Sequence, residues 1–252
     1  MTLRDLRSAL AAAARSFTLA AALAAALAGC SSVPPAPPAP PPPPEESVKP
    51  GINKDFLDPA LDIAKYEQRV EVESREVFAQ RERVVALLGL RPGMAVADIG
   101  AGTGLYTLLF APLVGPKGRV FAVDIAKNFV DHLRAEAAAA QLPQIEPVLC
   151  TERSVELPPA SVDLAFVCDT YHHFEFPRST LASLRTALRP GGELVILDFI
   201  REPGVSSEWI LGHVRASEAV VRQEIEAAGF EFVRREETPY LRENYVLRFR
   251  RP

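Results

Sequence analysis

The run Val96-Ala97-Asp98-Ile99-Gly100-Ala101-Gly102-Thr103-Gly104 sets an acid two residues ahead of three alternating glycines, and a second apolar run closes on another acid, Asp124. Gly100, Gly102 and Gly104 let the backbone take positive φ and let a ligand approach the main chain without a Cβ clash. The free amides of a helix starting near Tyr106 then face that ligand and favour its negative groups. A dinucleotide loop would need glycine at its first, third and sixth places, and the sixth place here is Leu105. Asp98 would also repel a pyrophosphate while attracting a cation. A zwitterion carrying an ammonium and a sulfonium suits this turn, and Asp124 at a strand end can accept hydrogen bonds from both ribose hydroxyls. The features together specify S-adenosylmethionine, with Asp98, Gly100, Ala101, Gly102, Thr103, Gly104, Tyr106, Asp124 and Ile125 as expected contacts.

A second group follows the fourth apolar run, at Asp169-Thr170-Tyr171-His172-His173-Phe174. Displacing a methyl group from a sulfonium requires mainly alignment, and a general base helps only when the nucleophile carries a proton of high pKa. Tyr171, His172 and His173 are the candidate bases, with Asp169 able to orient an imidazole or bind the cofactor's ammonium. Adjacent side chains on an extended segment point apart, so one histidine is expected to face the pocket and the other to pack. No metal is expected, because His132 and His213 lie far off in sequence and no close ligand spacing is present.

These motifs resemble those of the class I S-adenosylmethionine-dependent methyltransferases. The resemblance runs from about Arg81 to Phe249 and is carried by V-A-D-I-G-A-G-T-G, F-A-V-D124, V-D163-L-A-F-V-C-D169 and L-R-P-G-G192-E-L. It is strongest to the small-molecule branch that includes ubiquinone and menaquinone C-methylases. The resemblance implies an α/β fold, a Rossmann-like seven-stranded and mostly parallel sheet with a reversed final hairpin and helices on both faces. It also implies that the acceptor meets the methyl group at Asp169 to Phe174. Adenine contacts are implied after the third strand, at Thr151 and Glu152, although Cys150-Thr151-Glu152 departs from the family's common Gly-Asp-Ala pattern there. The fourth strand ends in Asp-Thr-Tyr, unlike the Pro-Pro tetrads of amino-directed nucleic-acid enzymes, and no Pro-Cys pair is present. A small molecule is therefore the expected acceptor.

The elements that must position these residues alternate between strand and helix, as a doubly wound sheet requires. Strands are expected near Ala95 to Ile99, Arg119 to Asp124, Glu146 to Leu149, Val162 to Asp169, Glu193 to Phe199, Glu231 to Arg235 and Tyr245 to Arg250. Helices are expected near Tyr106 to Val114, Lys127 to Ala140, Arg178 to Leu188 and Ser217 to Ala228. Gly115 to Gly118 and Pro190 to Gly192 read as turns. Upstream, Asp58 and Pro59 read as the cap and first position of a helical region reaching Gly89. Its charged stretch Glu71 to Glu76 reads as a solvated face, with Ser74 or Arg75 as the alternative that closes over the site. Trp209 to His213 reads either as a lid over an apolar substrate or as core packing.

Of the 252 residues, 48% are hydrophobic and 24% charged, enough for one globular domain. A net charge of −4 supplies no nucleic-acid footprint, so nucleic acid is not expected as a partner. Arg4, Arg7 and Arg15 precede an apolar stretch, Phe17 to Ala28, that is too short to span a membrane, as in a secretory signal. Leu27-Ala28-Gly29-Cys30 resembles a bacterial lipobox, which implies cleavage after residue 29 and lipidation of Cys30. The chain would then be anchored in the cell envelope facing the periplasm, and Ser31 favours the outer membrane by resemblance to proteobacterial sorting; a true start downstream of this segment would instead leave the chain cytoplasmic. Processing would leave 25 basic and 31 acidic residues. The nine prolines from Pro34 to Pro44 favour polyproline II, so residues 30 to 55 read as lipidated cysteine and spacer, and 56 to 252 as the methyltransferase domain. Cys150 and Cys168 end strands separated by two others, too far for a disulfide, and are expected as free, partly buried thiols. Three functions fit this reading. They are an envelope-tethered small-molecule methyltransferase, a tethered binding or scaffold protein on the same fold without turnover, and a dehydrogenase, which lacks a Tyr-x-x-x-Lys pair here.

Overall fold

The computed structural model describes residues 44–66 and 75–252. Signal, lipobox, Cys30 and most of the proline tract lie outside the described residues, as does Glu71 to Ser74. Residues 1–43 and 44–252 form separate units, and only the second is described.

Seven strands form one sheet in the order β3-β2-β1-β4-β5-β7-β6. They are β1 (Ala95–Ile99), β2 (Arg119–Asp124), β3 (Ile145–Leu149), β4 (Val162–Cys168), β5 (Leu188–Phe199), β6 (Glu231–Arg235) and β7 (Asn244–Arg250). β1 to β5 pair in parallel, and β7 runs antiparallel to both β5 and β6. The helices are α1 (Arg75–Ala79), α2 (Arg81–Leu88), α3 (Leu105–Val114), α4 (Lys127–Ala139), α5 (Pro177–Ala187), α6 (Glu208–His213) and α7 (Glu218–Ala227). This is the expected topology, with the expected strands other than β5 and the four expected helices after β1 within one residue of their predicted bounds.

Central parallel strands are covered on both faces, so they read as continuous apolar runs instead of alternating ones. The two-residue period still sorts them. Val96, Val120, Ala122, Leu164, Phe166 and Val195 pack with Val84 of α2, Tyr106 and Phe110 of α3 and Leu133 of α4. Ala97, Ile99, Phe121, Val123, Ala165 and Ile196 pack with Leu181 and Leu184 of α5 and Ile225 of α7 on the other face. Asp98 shares the parity of Val96, so its carboxyl enters the face occupied by α3.

Three local expectations are corrected. The Asp58 carboxylate does accept the Ala60 amide at 2.8 Å, yet this closes only a turn, and helix begins at residue 63. The carbonyls of Pro59 and Leu61 are instead taken by the Asn128 side-chain amide, which lays the segment against the start of α4. Pro190 to Gly192 is no turn between elements. β5 runs through it because Gly191 and Gly192 exchange backbone hydrogen bonds with Arg251. Residues 44–55, assigned by composition to the spacer, pack on the domain: the Glu45 carboxylate accepts the amides of Arg178 and Ser179 at the start of α5, and Asn53 is buried. Among the described residues no helix is long and apolar enough to cross a membrane.

Candidate active site

The carboxyl ends of β1, β2 and β4 open onto two adjoining cavities, as expected at the crevice of an open parallel sheet. Gly100, Gly102, Asp169, Thr170, His173, Phe56 and Tyr66 line both cavities and form the partition between them.

The first cavity lies beyond β2 and β3. Ile99, Ile125, Phe129, Val155 and Phe174 give it apolar walls, and Asp124, Thr151 and Glu152 supply polar groups. Asp124 is held by the Gly102 amide on Oδ2 and the Ala126 amide on Oδ1, each at 2.8 Å. Each carboxylate oxygen keeps a further lone pair, so the orientation that would receive two vicinal hydroxyls is set before any ligand arrives. Burial pushes the Asp124 carboxyl up to about 6, against the opposing pull of the amides of Ala126, Gly102 and Ile125. A flat base and a ribose fit this slot.

The second cavity lies over the glycine turn. Asp98, Ala101, Thr103, Leu105, Tyr106, Cys168, His172 and His213 line it. Asp98 is 3% exposed and accepts a hydrogen bond from the Thr107 hydroxyl at 2.6 Å. Burial pushes its carboxyl up to about 7, with Thr107 opposing and Asp124 adding to the rise. A cationic group beside Asp98 would reverse that penalty. Tyr106 donates to the Val77 carbonyl at 3.4 Å, and burial pushes its phenol up, so it lines the cavity as a neutral donor. Asn244 on β7 donates to Asp169 Oδ1 at 2.8 Å, and Asp169 takes a positive φ of 45°.

Gly104 lines neither cavity. With φ 92° it opens α3, and a Cβ there would lie 2.5 Å from Leu133 Cδ2, so its requirement is packing. Gly100, by contrast, faces the cavities with φ 72°, and a Cβ would lie 2.3 Å from the Thr170 side chain.

The candidate bases separate. Tyr171 turns away from both cavities into the core, fully buried, and donates to Glu224 Oε2 at 2.7 Å, where Arg215 also pairs in bidentate fashion. It anchors α7, which corrects its reading as a base. The expectation that one histidine packs is also corrected, because both His172 and His173 line the second cavity. A short 3-10 turn over Tyr171–His173 replaces the extended segment on which that expectation rested. His172 Nδ1 lies 2.7 Å from Asp198 Oδ1 at the end of β5, and the His172 amide donates to Oδ2 at 3.0 Å. A carboxylate accepts, so Nδ1 carries a hydrogen, and in the neutral ring the lone pair lies on Nε2. His213, distant in sequence, is brought beside this pair with its Nε2 3.3 Å from His173 Nε2. The chain-spacing argument against ligand clustering therefore fails for His213, and one ring nitrogen from each of the three histidines lies within 4.8 Å of the others.

Sequence reasoning missed the cover. Phe56 packs edge-on against His173 with ring centroids 5.0 Å apart, Tyr66 packs on Phe129 at 4.8 Å, and the Asn53 amide donates to the His173 carbonyl at 3.2 Å. Composition placed Asn53 in the spacer, and only the aromatic pair Phe56 and Tyr66 offered a signal. Ser74 lies outside the described residues, and with it the alternative reading that Ser74 or Arg75 closes over the site.

Residues 97–196 match a methyltransferase-domain family. A ubiquinone/menaquinone biosynthesis C-methyltransferase from Cupriavidus taiwanensis is 31% identical over 116 residues, 46% of this chain and 47% of the relative. An uncharacterized 37.1 kDa transposon protein from Streptomyces fradiae is 34% identical over 109 residues, 43% of this chain and 31% of the relative. The match thus spans less than half the length of these curated relatives. Among solved structures, a SAM-dependent methyltransferase from Aquifex aeolicus superposes with a TM-score of 0.66 at 27% identity, covering 75% of this chain and 98% of that one. The fold is the class I methyltransferase fold, and these matches support that family with S-adenosylmethionine as its cofactor.

Proposed function

We propose that this class I methyltransferase fold serves an S-adenosylmethionine-dependent transfer of methyl to a small molecule, and that Cys30 tethers the enzyme to the bacterial envelope. The observation that carries the catalytic reading is the glycine turn held between two buried carboxyls, Asp98 and Asp124, each opening on its own cavity. The cofactor would supply an activated methyl group on its sulfonium. Asp124 would receive the ribose, Ile125 and Phe129 would flank the base, and Thr151 and Glu152 would reach its edge. Asp98 and Asp169 would hold the ammonium beside the backbone of Gly102 and Thr103. The chain's task is then alignment, because the leaving group needs no protonation. His172, oriented by Asp198, is the residue set up to take a proton from the acceptor. Phe56 and Tyr66 give the partition between the two cavities an aromatic cover.

Calorimetric titration of the purified chain with S-adenosylhomocysteine is expected to show saturable binding, and NAD and NADP none. Absence of S-adenosylmethionine and S-adenosylhomocysteine binding at millimolar ligand would remove the proposal. Binding without methyl release across a panel of labelled-cofactor reactions would instead favour the tethered scaffold. The tether is tested separately by mass spectrometry of the native N-terminus: a lipidated Cys30 supports the envelope assignment, and an unprocessed or downstream start rules it out.

A further inference from the structure

We infer that His172, His173 and His213 form a binding site for a divalent transition metal of the zinc class at the acceptor end of the second cavity. No pair beyond His172-His173 is close in sequence, and the fold collects the third ligand by bringing α6 over the end of β4. The three rings contact one another pairwise, with centroids 4.4, 5.0 and 5.1 Å apart.

The Nε2 atoms of His173 and His213 lie at hydrogen-bond distance from each other, and the same separation suits a shared ion once the hydrogen between them is released. In a tetrahedral zinc site with bonds of about 2.0–2.1 Å, neighbouring ligand nitrogens are about 3.3–3.4 Å apart. The His173 and His213 Nε2 atoms are 3.3 Å apart, which is one edge of that tetrahedron. All three ligand atoms fall within 4.8 Å of one another, so the His172 edge has to shorten on binding. Chemistry supports it independently. His172 donates Nδ1–H to Asp198, 1% exposed, which is the carboxylate–histidine arrangement that fixes a ligand tautomer and raises its basicity. Trp209 stacks on His213 at 4.8 Å and Phe199 packs on His172 at 5.8 Å, giving the ligands an apolar surround. Three imidazoles suit zinc, copper, iron or nickel and leave one position open.

The three histidines line the same cavity as Asp98 and Asp169, so an acceptor in that cavity could reach the open position. With His172 Nε2 taken by the ion, the proton-accepting role proposed above for that residue would pass to water, because an acceptor hydroxyl bound to the ion would be polarised and would shed its proton more readily. This role for the open position rests on the methyltransferase reading, whereas metal binding itself does not.

The test uses the untagged full chain, stripped with chelator and dialysed into metal-free buffer. Titration with zinc is expected to give saturable binding of a single ion, and cobalt is expected to give the visible bands of a tetrahedral site. His213→Ala and His173→Ala should each abolish that binding, and Asp198→Asn should weaken it by about 10–100-fold. The same samples are titrated with S-adenosylhomocysteine, which reports on folding and on the cofactor site. Cofactor-product binding without zinc binding overturns the metal site and leaves the methyltransferase reading intact; zinc binding without product binding does the reverse. Zinc binding that survives both histidine substitutions also overturns the assignment.

Discussion

Asp98 illustrates how burial turns a strand residue into a ligand-dependent charge. Its carboxyl ordinarily titrates near 3.8 and is pushed up to about 7 chiefly by burial. A raised acid favours the folded state while protonated, so its contribution is fully present below about 4 and is lost as pH rises through about 7. A cationic amino group binds the ionised form better. Affinity for S-adenosylhomocysteine, measured calorimetrically, should therefore rise from about pH 5 to about pH 7, a range in which an α-amino group with a pKa near 8 is still largely protonated, and should level off above it. Asp98→Asn should weaken binding and leave only the shallower rise through about 6 that Asp124 contributes. An unchanged pH profile in that variant would place the ammonium elsewhere. Gly100→Ala forces a Cβ into the Thr170 side chain from a positive-φ position, and Thr170 lines both cavities. Overpacking of this kind costs about 1–3 kcal/mol, so both the melting temperature and product binding should fall.

At the level of elements, the 3-10 turn after β4 divides its residues between structure and chemistry. Tyr171 points down to Glu224 and Arg215 and ties the turn to α7, while His172 and His173 point up into the cavity. Tyr171→Phe removes one buried hydrogen bond and leaves the Arg215–Glu224 pair, which predicts a loss of about 0.5–1.5 kcal/mol by denaturant unfolding. Cofactor-product affinity should stay at its wild-type value. A large drop in that affinity would instead put the phenol in the site. The sequence could nominate all three residues because of where they follow a strand. It could not sort them, because a helical turn rotates side chains by a different angle than the extended chain assumed for it.

Over the whole molecule, the sheet order keeps Cys150 and Cys168 apart, with β2 and β1 between their strands, and both thiols are free. Burial pushes the Cys150 thiol up to about 12 and Cys168 well above its ordinary range. Both should resist alkylation at neutral pH in the folded chain and react fully once denatured; rapid labelling of the native protein would contradict that packing. Strand and helix bounds, the glycine turn and its two acids were legible in the sequence because each depends on local periodicity or on backbone freedom within a few residues. The cover from Asn53, Phe56 and Tyr66 was not legible, since a proline-rich neighbour hid a segment whose partners, His173 and Phe129, lie far along the chain. Nor was the histidine cluster. The sequence determined which residues could do chemistry along each strand end, because those ends are set by local pattern. Only the tertiary structure decided that His213 joins His172 and His173, because the crossover that carries α6 back over β4 is a property of the packed sheet and of no single stretch of chain.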